Sequence, residues 1–178
     1  LGLGDTAPAT SYKVFGKRTD TSAEEEVTGV FQFDRIDAAA FTGASLVPTG
    51  FVGAKGIVTA KAGGVTATTT ATFRLSASFG TTPASDIRTA LDGATADDPG
   101  LAILYPYDKT VFPRGIPGPL MQWNGVSGTN TYRVIAKSDT FTLTGYATGT
   151  GANGELSFPT TPVDVWARLG DSTSGAVT

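Results

Sequence analysis

Three groups of side chains in this sequence have types and spacings that could do chemistry. The first is Asp92, Asp97 and Asp98 in the run LDGATADDPG. Clustered carboxylates with nearby carbonyls are what a hard cation such as Ca²⁺ takes. The spacing is not that of an EF-hand loop, and the competing reading is a solvated turn. The second is the aromatic set Tyr105, Tyr107, Phe112, Trp123 and Tyr132, with Arg114 among them. Aromatic rings offer large apolar faces with a polar tip, a platform for a sugar or a peptide. The competing reading buries these rings, and Trp123, mid-strand between alternating neighbours, is expected in the core. Pro and Gly around Tyr107 and Arg114 mark a surface segment, so Tyr105, Tyr107 and Arg114 are the candidate ligand-binding residues. The third group is the scattered acids Glu24, Glu25, Glu26, Asp34, Asp37, Asp139, Glu155 and Asp164. Glycoside hydrolysis needs two such acids facing one another across a cleft, and no context here points to their burial.

The missing residue types exclude more than the present ones suggest. The chain has no cysteine, which removes disulfides, thiolate metal sites and a Cys nucleophile. It has no histidine, which removes the commonest general base and the Ser-His-Asp triad. No S-x-x-K motif occurs, and the Gly-rich runs at 63–64 and 149–154 lack the Lys-Ser/Thr of a phosphate loop. No catalytic residues and no cofactor are expected, Ca²⁺ at the Asp cluster aside. Net charge is only −3, and the basic residues are dispersed. There is no Lys/Arg stripe for nucleic acid or an anionic membrane, and no apolar run long enough to span a bilayer.

The elements that must position these groups read as β. The run GGVTATTTATFRL alternates: Val65, Ala67, Ala71, Phe73 and Leu75 fall on one parity, and Thr66, Thr68, Thr70, Thr72 and Arg74 on the other. This predicts a long strand with one buried and one wet face. It follows a shorter strand at 57–60 across an Ala62-Gly63-Gly64 turn, a hairpin signal. Further strands are expected at 11–17, 27–33, 101–106, 120–123, 131–137, 140–147 and 155–158. The run Glu24-Glu25-Glu26 reads as a solvated loop, and 36–41 as either a helical turn or irregular chain. Ser85 or Asp86 is the expected N-cap of a short helix that stops at Gly93. A helical turn at 162–169 would set Val165, Trp166 and Leu169 on one face.

Two stretches resemble known modules. SLVPTGFVGAKGIVTAKAGGVTATTTATFRL, residues 45–75, resembles the C-terminal half of bacterial Ig-like domains, with their G-x-v-t-A strand, Gly-rich turn and G-v-t-a-t-a-t-v strand. Where those domains carry Trp, Phe stands here, in Val30 to Asp34. ILYPYDKTVFPRGIPGPLMQWNGVSGTNTYRVIAKSDTF, Ile103 to Phe141, is similar to the fibronectin-type-III-like modules of exported proteins in myxobacteria and related deltaproteobacteria. The carrying residues are Tyr105-Pro106-Tyr107-Asp108, Phe112-Pro113-Arg114-Gly115, Gln122-Trp123 and Tyr132-Arg133-Val134. The resemblance implies β-sandwich modules without catalytic residues, usually within longer chains.

The expected architecture is therefore all-β: two Ig-like and fibronectin-III-like sandwiches joined by a short, partly helical linker. Residues 1–9 form a flexible start, 10–78 the Ig-like sandwich, 79–100 the linker and 101–178 the second sandwich. The second sandwich lacks its last strand, which further chain or a neighbouring subunit would supply. The expected function is that of a non-catalytic exported structural or interaction protein at a bacterial surface, periplasm or extracellular space. Its partners would be other subunits or further domains of the same polypeptide. The alternative is a carbohydrate- or peptide-binding module.

Overall fold

β-Branched and alternating segments dominate the chain, and the described residues of the computed structural model form a mainly β protein, 46% strand, with two short helices and several small, open antiparallel sheets among them. The structure describes residues 1–20, 23–95, 99–125, 128–150, 153–160, 163–173 and 175–178. Chain contacts divide it into two units, Leu1–Leu75 and Ser76–Thr178. The expectation of a mainly β chain holds. The two sandwiches do not appear as such, because the strands distribute into sheets of two or three.

In the first unit the strands are β1 (Thr10–Ser11), β2 (Val14–Lys17), β3 (Glu24–Val27), β4 (Val30–Phe33), β5 (Ala39–Thr42), β6 (Ser45–Pro48), β7 (Ala54–Ala62) and β8 (Val65–Phe73). They form the sheets β1-β6-β5, β2-β3 and β4-β7-β8. β7 and β8 pair in unbroken register from Ala54↔Phe73 to Ala62↔Val65. Gly63 and Gly64 between them both have positive φ, the signature of a two-residue type I′ hairpin loop. The core holds Phe33, Ala38, Ala39, Leu46, Val52, Ala54 and Val58. Beside it Phe31 stacks on Phe41 at 5.3 Å, and Tyr12 meets Phe41 edge-on at 5.5 Å.

Two sequence expectations change in this unit. Glu24–Val27 is a strand, not a loop: its backbone pairs with Val14–Lys17 while every side chain stays exposed. The glutamates thus remain solvated within a ladder, and Glu26 takes the Lys13 ammonium at 2.8 Å. Residues 36–48 hold a hairpin, β5–β6, turned at Gly43, whose φ is positive. In the segment 1–9, Gly4 N–H donates to Gly50 O at 2.8 Å.

The second unit carries β9 (Leu75–Phe79, beginning at the division), α1 (Ser85–Gly93), β10 (Ala102–Tyr105), β11 (Met121–Asn124), β12 (Thr129–Lys137), β13 (Phe141–Thr150), β14 (Asn153–Leu156) and α2 (Val165–Ser172). Its sheets are β10-β11-β14 and β12-β13-β9. Trp123, Phe141, Leu143, Leu156, Phe158, Val165 and Leu169 are buried. Trp123 is thus a core residue, packed on Tyr132 with centroids 5.1 Å apart. α1 begins after Ala84 with no side-chain cap, so neither Ser85 nor Asp86 serves as the N-cap. α2 is capped by Asp164, whose Oδ1 accepts from Ala167 N–H at 2.9 Å, leaving one face to bury Val165 and Leu169.

Candidate functional site

The Pro/Gly segment between β10 and β11 forms one wall of a cavity of about 780 Å³ in the second unit. That volume falls in the usual range of small-ligand pockets, roughly 300–1,000 Å³. The segment cannot pair mid-sheet because its prolines lack N–H donors, so it turns instead. Thr110 folds it by donating its N–H (3.1 Å) and its hydroxyl (2.7 Å) to Tyr107 O. Tyr107 is left 74% exposed at the rim. Arg114 Nη2 donates to Thr173 O at 3.0 Å, fastening the segment to the chain just after α2.

α2 supplies the opposite wall. Trp166 stands edge-on to Phe112 at 5.2 Å and packs on Phe158 at 4.9 Å. Val134 and Ala136 of β12 also line the space, as do residues 175–178. Thr178 and Lys137 exchange both main-chain hydrogen bonds, at 2.9 and 2.7 Å, which is the pattern of an antiparallel pair. The lining is mainly apolar, with Asp108, Lys109, Arg114 and Asp171 among its polar members. Thr173 Oγ1 is buried and has no hydrogen-bond partner among the described residues. An aromatic wall interspersed with a few polar side chains can orient a ligand carrying hydroxyl or amide groups.

Of the sequence candidates, Tyr107 and Arg114 both line this cavity. Tyr105 does not. Its ring meets Tyr107 edge-on at 6.0 Å and so supports the rim from behind. Sequence reasoning missed Trp166 and Thr173 as cavity residues; the helical spacing of Val165, Trp166 and Leu169 signalled the face but not what it faces. Asp97 and Asp98 lie outside the described residues, and the Asp92 carboxylate accepts from Arg133 Nη1. Among the described residues no group of three acids stands close enough to hold a metal ion.

A second candidate surface is main chain. β8 is the outer strand of its sheet, and its first six residues are exposed on both faces, Val65 by 71%. The expected dry face is therefore dry only near Ala71 and Phe73, which pack against the core. The hairpin tip runs past Val58, the last buried residue of β7. In the first unit the Asp37 carboxyl is held below its ordinary value of 3.8, chiefly by its hydrogen bond from Arg35. That bidentate pair, at 2.9 and 2.7 Å, braces a surface turn rather than a cleft.

No protein-family model matches the chain, no curated protein matches it, and no solved structure matches its fold.

Proposed function

We propose that this chain is a non-catalytic, exported structural or interaction protein, built from Ig-like and fibronectin-III-like modules, that works by association with other subunits or further domains. The supporting observation is that two of its sheets end in long strands, β8 and β12, each with one main-chain edge outermost, that of β12 being paired at Lys137 with Thr178. An open edge presents a row of N–H and C=O groups, a template for another strand. Export is supported by composition: no cysteine, 16% charged residues and 23 glycines. Among the described residues no helix is long and apolar enough to cross a membrane.

The test is the mass of the particle that carries the chain in the cells that make it. The expected result is a particle of several chains in the exported fraction, which falls apart when Thr68→Lys and Thr131→Lys charge both edges together. A lone folded chain, or a cytosolic one, overturns the reading.

A second reading is favoured by one observation: Tyr107 and Arg114 line the same cavity, beneath an exposed aromatic rim. It takes the chain as a carbohydrate- or peptide-binding module. Tyr107→Ala would then lower glycan or peptide retention without moving the melting transition. A glycan and peptide array without hits overturns it.

A further inference from the structure

We infer that β8 pairs antiparallel with β8 of a second copy of this chain, about a two-fold axis through Thr69. The inference rests on the reading that open strand edges are this protein's working surfaces, and it names the occupant of one of them.

The edge has none of the usual protections. Natural edge strands carry Lys, Pro or a bulge, or are short. β8 is nine residues long, contains no charged residue and no proline, and keeps unbroken register with β7. Its main-chain groups divide by parity. The β-turn at Gly63-Gly64 closes on the pair Ala62–Val65, which bonds through the turn. Bonded pairs alternate in an antiparallel ladder. Odd-numbered residues of β8 therefore bond to β7, and Thr66, Thr68, Thr70 and Thr72 turn their N–H and C=O outward.

The sequence of that edge reads nearly the same in both directions. VTATTTATF is a palindrome about Thr69, broken only by Val at one end and Phe at the other. Antiparallel pairing about Thr69 sets Thr66 against Thr72 of the second copy, and Thr68 against its Thr70. These are the residues with outward main-chain groups, so four reciprocal pairs supply about eight hydrogen bonds. Registers shifted by an odd number of residues mismatch those groups, and shifts by an even number shorten the ladder. On the other face Ala67 meets Ala71, Thr69 meets Thr69, and the exposed Val65 is covered by Phe73 of the second copy. Thr–Thr and aromatic–β-branched neighbours are favourable cross-strand pairs, and no like charges oppose. The like-with-like register is the reason to assign a second copy rather than an unrelated strand.

The chain's lack of cysteine makes the register directly measurable. In sedimentation equilibrium the purified chain is expected to dimerise reversibly. Thr69→Lys and Thr69→Glu should each be monomeric, and an equimolar mixture should restore the dimer. Thr69→Cys faces itself across the axis at a Cα separation of about 4.5 Å, within disulfide reach. It should cross-link under mild oxidant at least about tenfold faster than Val65→Cys, whose twin lies many residues away along the ladder. Both positions are exposed, and melting curves check that both variants keep the fold. A monomeric parent chain, a Thr69→Lys variant that still dimerises, or equal cross-linking at the two positions overturns the proposal. If the cellular particle still dissociates when only the β12 edge is charged, these results leave the wider association reading standing. If neither edge matters, both fall.

Discussion

The ring of Phe33 lies against Gly56 so closely that a Cβ added there would come within 2.6 Å of the ring carbons Cε2 and Cζ. The same Cβ would meet Asp34 Oδ1, the atom that accepts from Ile57 N–H at 2.8 Å. One missing side chain in the middle of β7 therefore lets a core ring and a buttressing carboxylate sit on the same strand. Phe33 in turn meets Phe73 of β8 edge-on at 5.7 Å, so the core is keyed to the hairpin through this contact.

Gly56→Ala should destabilise the first unit by roughly 1–3 kcal/mol, the usual cost of overpacking a filled site. Gly93, at the end of α1, has open space around its Cβ position, and Gly93→Ala should be neutral or stabilising by up to about 1 kcal/mol. Urea unfolding of the two variants separates the effects. Equal stability for both would show that the Phe33–Gly56 contact carries no weight.

α1 has no buried residue, so burial does not hold it. Arg133 on β12 does: Nη1 donates to Asp92 and Nη2 to Leu91 O at 2.8 Å. Arg133 is largely covered while Asp92 is mostly exposed, so the pair is a tether of about 1 kcal/mol rather than a buried ion pair. Arg133→Gln should speed hydrogen exchange across Ser85–Gly93 by about fivefold, while the β12–β13 ladder exchanges as before. Unchanged exchange in α1 would mean that another contact holds the helix.

Asp37 gives a pH dependence of known sign. Its folded carboxyl titrates below 3.8 because Arg35 donates to it. A carboxyl depressed on folding adds stability above its unfolded value and loses it as pH falls through the folded value. Both partners are partly exposed, so Asp37→Asn should cost no more than about 1 kcal/mol at pH 7. The difference from the parent chain should shrink as pH falls below the ordinary carboxyl value and through the lower folded one in chemical unfolding. A deficit that stays constant as the carboxyl is protonated would assign the loss to the packing of the turn rather than to the ionised carboxyl.

Local period was legible in the sequence where one strand carries it alone. The alternation of 65–75 corresponds to β8 as far as Phe73, but the strand breaks at Arg74 and Leu75 begins β9 in another sheet; the alternation of 131–137 and the helical spacing at Val165, Trp166 and Leu169 correspond to elements of the right type. Burial was less legible, because it depends on where a strand sits in its sheet. Val65 and Ala67 have core parity and lie exposed, since β8 is outermost and its tip outruns the core. Glu24–Val27 was hidden for the converse reason: three glutamates suggest a loop, and only pairing with Val14–Lys17 makes them a strand. The cavity was half legible. Pro and Gly marked the segment of Tyr107 and Arg114 as surface, but its opposite wall depends on the packing of α2, which no local pattern reports.

That wall gives the last prediction. Trp166 is half-buried and touches both Phe112 and Phe158. Trp166→Ala removes the ring that packs on both Phe112 and Phe158, and should cost about 2–4 kcal/mol, somewhat below the full cost of deleting a buried aromatic. Tyr107 at the rim, mostly in solvent, should change stability by no more than about 0.5 kcal/mol on truncation to Ala. The pair therefore separates architecture from recognition. If Tyr107→Ala abolishes retention of a sugar or peptide at unchanged stability, the rim is a recognition surface. If Tyr107→Ala instead lowers the melting transition as much as Trp166→Ala, the rim ring is part of the packing and the cavity is a fold feature without a ligand.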